Sequence, residues 1–126
     1  MHTIERMKKR VLIVDDDTRN IFALSAVMRS RSFECISCLS AREALRILSS
    51  DDHFDAILLD MMMPDIDGYD AIPLIKQLPN RQSTLIVAVT AQAMLGDREK
   101  CLQAGADDYV SKPVDIDKLF QILSLI

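Results

Sequence analysis

The 126-residue sequence predicts an α/β protein in which a five-stranded parallel sheet is covered by helices on both faces. Short runs of aliphatic and β-branched residues alternate along the chain with segments whose apolar residues recur at helical spacing. Three of these runs are apolar throughout, as expected of strands with two buried faces: VLIV, AILL and LIVAV. Length and undivided composition indicate a single domain over residues 1–126, in which residues 1–9 form an N-terminal extension.

The first two strands are each followed by a helix start signal. Val11–Val14 is a short apolar run bounded by charges, which predicts the first strand. Either Asp17 or Thr18 then caps the first helix. The second strand is predicted at Phe33–Leu39, and Ser40 begins the segment SAREALRIL. A glutamate three residues after this serine completes a capping-box pattern, so a second helix follows.

The middle of the chain predicts a third strand, a turn and a third helix. Asp55–Leu59 is the third strand, and a turn rich in Pro, Asp and Gly leads into the helical pattern YDAIPLIKQL. Pro73 falls inside this pattern. The third helix therefore either begins near Ile72, with the proline in its first turn, or is kinked. The fourth strand follows at Thr84–Val89.

The last part of the chain completes the alternation. A helix is predicted over Gln92–Ala104, with Gly105 ending it. The run DDYVSK is a short fifth strand, and the final helix extends from about Asp115 to Leu125. Five strands separated by helices require crossover connections, and these give a parallel sheet.

Charge and hydropathy exclude several classes of function. The formal net charge of −4 disfavours sequence-independent binding of nucleic acid, whose affinity comes largely from neutralised phosphates. No apolar run approaches the roughly 20 residues that cross a bilayer, and no signal-peptide core follows the basic residues near the N-terminus. We expect a cytoplasmic protein whose domain makes no direct contact with nucleic acid or membrane.

The cysteines and histidines give no sign of a redox or zinc site. Cys35 and Cys38 have the spacing of a redox pair, but they lie in a predicted strand and no second pair completes a zinc site. We interpret them as packing residues. His2 and His53 lie at the terminus and in a polar loop, so both are interpreted as solvated.

Polar residues collect where the predicted strands end. In open α/β sheets, ligands bind beyond the carboxyl ends of the strands. The side chains expected at that rim are Asp15, Asp16, Asp17, Asp60, Thr90, Ser111 and Lys112. Asp17 is best explained as a helix cap. The other carboxylates repel one another unless a cation lies among them, and their hard oxygen atoms suit Mg²⁺.

Such a rim can carry phosphoryl chemistry. An ionised aspartate can attack a phosphoryl group without a general base, which gives an aspartyl phosphate. Mg²⁺ would neutralise the developing charge, Lys112 would balance phosphoryl oxygens, and Thr90 would donate its hydroxyl. Asp60, between an apolar run and three methionines, is the candidate nucleophile.

The ordered set of motifs resembles the receiver (CheY-like) domains of two-component response regulators. The resemblance runs from VLIVDDD through LLDMMMPDIDGYD and AVTA to AGADDYVSKPVD, nearly the whole chain. It keeps the family's intervals from Asp16 to Asp60, from Asp60 to Thr90, and from Thr90 to Lys112. The resemblance implies a flavodoxin-like fold with strand order 2-1-3-4-5.

The resemblance also implies roles for the residues of the rim. Asp60 would be the phosphoacceptor, Lys112 would contact the phosphate, and Thr90 would be the switch hydroxyl. Asp15 and Asp16 would bind Mg²⁺ together with Asp60.

Further roles follow from the positions that flank these residues. The backbone carbonyl of Met62 would be another metal ligand, and Pro113 matches a proline that usually follows a cis peptide bond. Tyr109 aligns with the family's aromatic switch residue, although a plain packing role is the rival interpretation. Met62 and Gln92, two residues beyond Asp60 and Thr90, are expected to tune the lifetime of the phosphoryl group.

The implied function is a phosphorylation switch, not an enzyme beyond self-catalysed phosphorylation and slow autodephosphorylation. The partner would be a sensor histidine kinase or a histidine phosphotransfer protein. Two segments, RNIFAL and AMLGDREKCLQAGADDY, resemble receivers of hybrid sensor histidine kinases. A homodimer through helix four, strand five and helix five is a further expectation.

Three alternatives remain open to test. A haloacid-dehalogenase-type phosphohydrolase needs an Asp-x-Asp-x-Thr/Val pattern after the first strand, and Asp15, Asp17 and Arg19 do not provide it. A degenerate receiver that acts only as an interaction module predicts the loss of a rim residue, and none is missing. A flavodoxin-like cofactor site needs a Gly- or hydroxyl-rich amide cradle, where this chain has DDDTRN.

Overall fold

The computed structural model of the protein describes residues 8–91 and 96–126, and in these ranges five strands alternate with five helices. The elements are β1 Arg10–Val14, α1 Thr18–Ser30, β2 Glu34–Cys38, α2 Ala41–Leu48, β3 Ala56–Asp60, α3 Gly68–Lys76, β4 Leu85–Thr90, α4 Asp97–Ala104, β5 Asp108–Ser111 and α5 Ile116–Leu123. All neighbouring strands are parallel, in the order β2-β1-β3-β4-β5. The predicted doubly wound fold and strand order are confirmed.

The strand order creates a crevice at the carboxyl end of the sheet. From β1 the chain passes outward to β2 and then returns to the other side of β1 to form β3. The crossovers that leave β1 and β3 therefore diverge, which opens the space between these strands at their carboxyl ends.

Successive side chains of each strand pack alternately into two hydrophobic cores, one on each face of the sheet. On β1, Leu12 and Val14 join the core covered by α2, α3 and α4. Val11 and Ile13 face the opposite core, which α1 and α5 cover. Because both faces of the sheet are buried, the apolar runs lack the polar alternation of a half-exposed strand.

Side-chain caps fix where the first two helices begin. Asp17 is the N-cap of α1 and accepts a hydrogen bond from the Arg19 backbone N–H at 3.0 Å. Ser40 caps α2 by accepting from the backbone N–H of Glu43 at 3.1 Å. The Glu43 carboxylate accepts from the Leu39 N–H at 3.3 Å, one residue before the position that a standard capping box uses.

Of the two alternatives for α3, a start near Ile72 is wrong, because the helix begins at Gly68 and contains Pro73 in its interior. Asp67 is the N-cap and accepts from the backbone N–H of Asp70 at 3.0 Å. A Cβ at Gly68 would collide with the side chain and the Cα of Met61, so only glycine permits this close approach of helix and loop. These two features set the start of the helix despite the proline.

The ends of the later helices differ slightly from the prediction. α4 is described from Asp97, and the predicted start at Gln92 lies outside the described residues. Gly105 ends α4 in the left-handed conformation, with φ of 116°, as predicted. Asp115 is the N-cap of α5 rather than its first residue. Among the described residues, no helix is long and apolar enough to cross a membrane.

Candidate phosphoryl-transfer site

Three carboxylates meet at the crevice between β1 and β3. Asp15 and Asp16 directly follow β1, and Asp60 is the last residue of β3. Carboxylate oxygens from the three residues lie within 4.8 Å of one another. Asp15 and Asp60 are buried, with 2% and 4% of their surface exposed, whereas Asp16 is exposed.

Backbone hydrogen bonds continue the sheet past the strand ends and hold these residues in place. The Asp15 N–H donates to the carbonyl of Cys38 at 3.2 Å, and the Met61 N–H donates to the carbonyl of Val89 at 2.9 Å. The acids therefore stand on the rigid edge of the sheet rather than on free loops, which limits the positions that their carboxylates can take.

A single ammonium group bridges two of the acids. Lys112 Nζ lies 3.3 Å from Asp15 Oδ2 and 3.4 Å from Asp60 Oδ2. The Lys112 N–H donates to the Thr90 carbonyl at 2.7 Å, which ties the end of β5 to the end of β4. The peptide bond between Lys112 and Pro113 is cis.

The carboxylate of Asp15 accepts from three donors of the protein. Its Oδ1 accepts from the backbone N–H of Asp17 at 2.9 Å. Its Oδ2 accepts from the side-chain amide of Asn20 at 2.6 Å and contacts Lys112. Asp15 is therefore held by one charged and two neutral donors.

Asp60 and Asp16 retain more of their capacity to bind a ligand. Asp60 Oδ1 accepts from the backbone N–H of Met62 at 3.0 Å, and Oδ2 contacts Lys112. Within residues 8–91 and 96–126, the carboxylate of Asp16 has no hydrogen-bond or ion-pair partner. Its oxygens can coordinate a cation without losing a contact within this part of the protein.

Burial and the neighbouring charges shift the pKa values of the central pair. Burial raises the pKa of Asp60, and the charge of Asp15 adds to this rise, while the Met62 N–H and the Lys112 ammonium oppose it. Burial lowers the pKa of Lys112, but Asp60 and Asp15 outweigh it and the net shift is upward. The ammonium therefore stays charged, and a second cation would make ionisation of Asp60 easier.

The donor set fits a magnesium ion. Three carboxylates and one ammonium leave a formal charge of about −2 in a small pocket, which favours a divalent cation. Mg²⁺ prefers oxygen ligands and usually retains several waters, so a few carboxylates at an open edge are sufficient. The exposed Asp16 provides such an edge.

The comparison with known proteins agrees with this geometry. The family profile described as "Response regulator receiver domain" matches residues 11–124. The chain belongs to the response regulator receiver family. Receiver domains are signalling switches of two-component and phosphorelay systems.

Curated relatives of this receiver include parts of large kinases and a small regulator. It is 38% identical over 118 residues to the histidine-protein kinase BarA of Escherichia coli K12, covering 94% of this chain but only 13% of BarA. It is 32% identical over 117 residues to the response regulator DivK of Brucella ovis, covering 93% of this chain and 94% of DivK.

Solved structures show the same fold. The receiver domain of the sensor histidine kinase PA1611 from Pseudomonas aeruginosa is 36% identical, with a TM-score of 0.84 over 94% of this chain and 96% of that one. That structure has a magnesium ion coordinated in its active site cleft. The receiver of Ssk1 from Saccharomyces cerevisiae, crystallised with the phosphotransfer protein Ypd1, is 27% identical, with a TM-score of 0.81 over 90% of this chain and 84% of that one.

Three other predicted residues lie on β4, on β5 or just after β3. Met62 follows the phosphoacceptor candidate and is 52% exposed, while Met61 and Met63 are buried. Thr90 is the buried last residue of β4. Tyr109 lies half-buried on β5, and its ring centroid is 4.8 Å from Lys118 Nζ. Met61 and Met63 belong to the hydrophobic core on the side of α2, α3 and α4.

Two contacts were not predicted from the sequence. Asn20 reaches Asp15 from the first turn of α1, and the only sequence signal is a carboxamide five residues after the acid. His53, interpreted as solvated, is exposed but lies 2.9 Å from a carboxylate oxygen of Asp55. His2 and Gln92 lie outside the described residues.

The cysteines remain thiols with no redox partner. Cys35 is half-buried, Cys38 and Cys101 are buried, and all three are free. Burial raises the pKa of the Cys38 thiol to about 11, so it stays protonated at neutral pH and is a poor nucleophile. This agrees with the packing interpretation.

Proposed function

We propose that this receiver accepts a phosphoryl group on Asp60 from a phosphohistidine donor and that the resulting charge switches its surface. The observation that carries the proposal is the position of Lys112, whose ammonium contacts both Asp60 and Asp15 beside a third carboxylate. A purely structural ion pair would need only one of these acids.

The proposed reaction transfers a phosphoryl group from a donor histidine to Asp60. A carboxylate oxygen of Asp60 bonds to phosphorus as the bond from phosphorus to the donor imidazole nitrogen breaks. The electron pair of the broken bond stays on nitrogen, which takes a proton from water. Lys112 is placed to stabilise the phosphoryl oxygens, because its ammonium already lies 3.4 Å from Asp60.

Mg²⁺ would be held by the carboxylates of Asp15, Asp16 and Asp60 with the backbone carbonyl of Met62. When bound, the ion supplies positive charge that offsets the repulsion between the carboxylates and the incoming phosphate. The PA1611 receiver, with a magnesium ion in its active site cleft, supports this assignment.

The switch would pass from the phosphate to the surface formed by α4, β5 and α5. Phosphorylation adds about −1.5 to −2 units of charge, if the acyl phosphate resembles other phosphorylated side chains. Thr90, at the end of β4, and Tyr109, on β5, are the residues through which this surface would respond. The same surface is the proposed contact of a homodimer.

The lifetime of the phosphoryl group would be tuned by Met62 and Gln92. Met62 is more than half exposed and directly follows the loop residue after Asp60, where it can control the approach of water. Substituting both residues with charged or small side chains should change the rate of phosphate release. An unchanged lifetime in the double variant would remove this part of the proposal.

The partner class follows from the relatives. BarA is a histidine-protein kinase, and the Ssk1 receiver was crystallised with a histidine phosphotransfer protein. A sensor histidine kinase or a histidine phosphotransfer protein is therefore the proposed donor, and a cytoplasmic location would give this receiver access to either one.

The direct test is to incubate the protein with acetyl phosphate and weigh it intact. We expect the wild type to gain one phosphoryl group only when Mg²⁺ is present, and Asp60→Asn to gain none. Asp70→Asn, at an exposed carboxylate of α3, is the matched control and should react like the wild type. A gain that persists in Asp60→Asn, or without Mg²⁺, would contradict the proposal, and an unreactive wild type would favour the interaction-module alternative.

A further inference from the structure

Asn20 makes a short contact with the site that the phosphoryl chemistry does not require. It is the third residue of α1, and its side chain is half-buried. Its Nδ2 lies 2.6 Å from Asp15 Oδ2, closer than Lys112 Nζ at 3.3 Å to the same oxygen. Because helical side chains lean toward the N-terminus, a residue in the first turn can reach back to the loop that carries Asp15.

The chemistry of this donor suits a carboxylate that has to be fixed but not neutralised. A carboxamide donates a hydrogen bond without adding charge, so it holds Asp15 and leaves the negative field of the pocket available to a cation. An arginine or lysine at this position would compete with that cation.

The three donors to Asp15 fix the orientation of its carboxylate, and this orientation sets how the Lys112 ammonium is shared between Asp15 and Asp60. The Asp17 N–H holds Oδ1, and the Asn20 amide and the Lys112 ammonium approach Oδ2. Without Asn20, the Asp15 carboxylate could turn about its side-chain torsions and draw the ammonium away from Asp60. Loss of the Asn20 amide, which takes no part in the reaction, would then change the contact between Lys112 and Asp60.

We propose that Asn20 is a positioning residue of the receiver site, which orients the Asp15 carboxylate so that Lys112 stays shared with Asp60 and the acidic pocket is ready for Mg²⁺. Its effect on phosphorylation rests on the proposed function. Its effect on Mg²⁺ binding does not require any phosphoryl transfer, so the two can fail separately.

The test measures Mg²⁺ affinity by isothermal titration calorimetry on the intact chain. Asn20→Leu removes the donor but keeps the same branching at Cγ and favours the helix, and Asn20→Gln keeps the amide on a longer side chain. We expect about tenfold weaker Mg²⁺ binding in Asn20→Leu, as is typical when a partner of a ligating residue is lost, and affinity nearer to the wild type in Asn20→Gln. Gln121→Ala, at an exposed carboxamide of α5, is the control and should bind like the wild type.

A second measurement separates positioning from a merely structural role. Thermal unfolding without Mg²⁺ should show that Asn20→Leu is folded at the assay temperature, with a midpoint lowered by the lost hydrogen bond to a buried carboxylate, while the phosphorylation rate at saturating Mg²⁺ falls in the variant. Unchanged Mg²⁺ affinity in Asn20→Leu, equal loss in Asn20→Gln, or a wild type that binds no Mg²⁺ would each overturn the proposal. A wild type that binds Mg²⁺ but is never phosphorylated would overturn the proposed function and leave the positioning role of Asn20 standing.

Discussion

Lys112 has two opposing effects on the pocket, which can be separated by mutation. Its ammonium partly neutralises Asp15 and Asp60, at 3.3 and 3.4 Å, and so reduces the repulsion between them. The same positive charge repels a cation that enters the pocket. A receiver site therefore has to balance the affinity for metal against the stabilisation of phosphate.

Replacing Lys112 with methionine should strengthen Mg²⁺ binding and slow phosphorylation. We expect Lys112→Met to bind Mg²⁺ several-fold more tightly, because a competing positive charge is lost. We also expect it to react with acetyl phosphate at least tenfold more slowly, because phosphoryl oxygens lose a cationic partner. Calorimetry and timed intact-mass measurements check the two results. Lys100→Met, at an exposed lysine of α4, is the control, and a parallel fall in both properties would argue against this role.

The ionisation of Asp55 links the stability of the folded state to pH. Burial raises the pKa of Asp55, but the backbone N–H of Arg10 and the side chain of His53 outweigh it, and the net pKa lies below the usual value of 3.8. The ionised carboxylate therefore stabilises the folded state above about pH 3.8. That contribution is lost as the pH falls through the lower folded-state pKa.

Asp55→Asn should flatten the acid side of the stability curve. We expect the variant to lose less free energy of unfolding than the wild type between pH 7 and pH 3, because the titrating group is gone. Urea denaturation at the two pH values measures this difference. Asp51→Asn, at an exposed aspartate of the same loop, should follow the wild type. Equal losses in all three proteins would show that Asp55 does not contribute.

At the scale of elements, one buried arginine joins the end of α2 to the start of β3. Arg81 is only 3% exposed, and its guanidinium donates to the carbonyls of Leu48, Ser50 and Asp52 at 3.0, 3.1 and 2.7 Å. The Cζ atom of Arg81 also lies 5.7 Å from the ring centroid of Phe54. Carbonyls at the end of α2 have no partner within the helix, and this side chain supplies one.

Removing this guanidinium should destabilise the fold without touching the site. We expect Arg81→Met to lower the free energy of unfolding by about 2–4 kcal/mol, since three carbonyls lose a charged donor. Arg46→Met, which loses only an exposed pair with Glu43, should cost less than about 1 kcal/mol. Chemical denaturation compares the two variants. A similar small effect for both would mean that the Arg81 contacts are not important for stability.

The start of α3 shows why element boundaries are harder to predict than element types. The helical pattern of YDAIPLIKQL was visible in the sequence, but Pro73 indicated either a start near Ile72 or a kinked helix. Asp67 as a cap and the close approach of Gly68 to Met61 decide between them. The second feature is a tertiary contact, and no pattern within a single segment reveals it.

At the scale of the whole molecule, the sheet topology explains how much of the site could be predicted. The adjacent pair Asp15 and Asp16, Asp60, and Lys112 come from three distant parts of the sequence, yet each lies at or just after the end of a strand. Parallel strands bring their carboxyl ends to one edge of the sheet. The predicted strands were therefore enough to predict that these residues lie close together. Asn20 could not be found in this way, because it reaches the site from a helix.

The acidic pocket also couples metal binding to global stability. A cation that binds only the folded chain stabilises it by about 1.4 kcal/mol at a concentration ten times the Kd. We expect Mg²⁺ to raise the Tm of the wild type by a few degrees and to raise that of Asp16→Ala much less. Calorimetric scans measure both shifts, with sodium chloride at equal ionic strength as the control. Equal shifts in the two proteins would exclude Asp16 as a ligand.

Among all the acids of the rim, Asp60 is the one proposed to form the bond to phosphorus. Borohydride reduces an aspartyl phosphate to homoserine, so treating the phosphorylated protein and sequencing its peptides by mass spectrometry locates the acceptor. We expect homoserine at position 60 and unchanged aspartates at positions 15 and 16. Homoserine at position 15 or 16, or its absence from position 60 in protein that has gained a phosphoryl group, would contradict it.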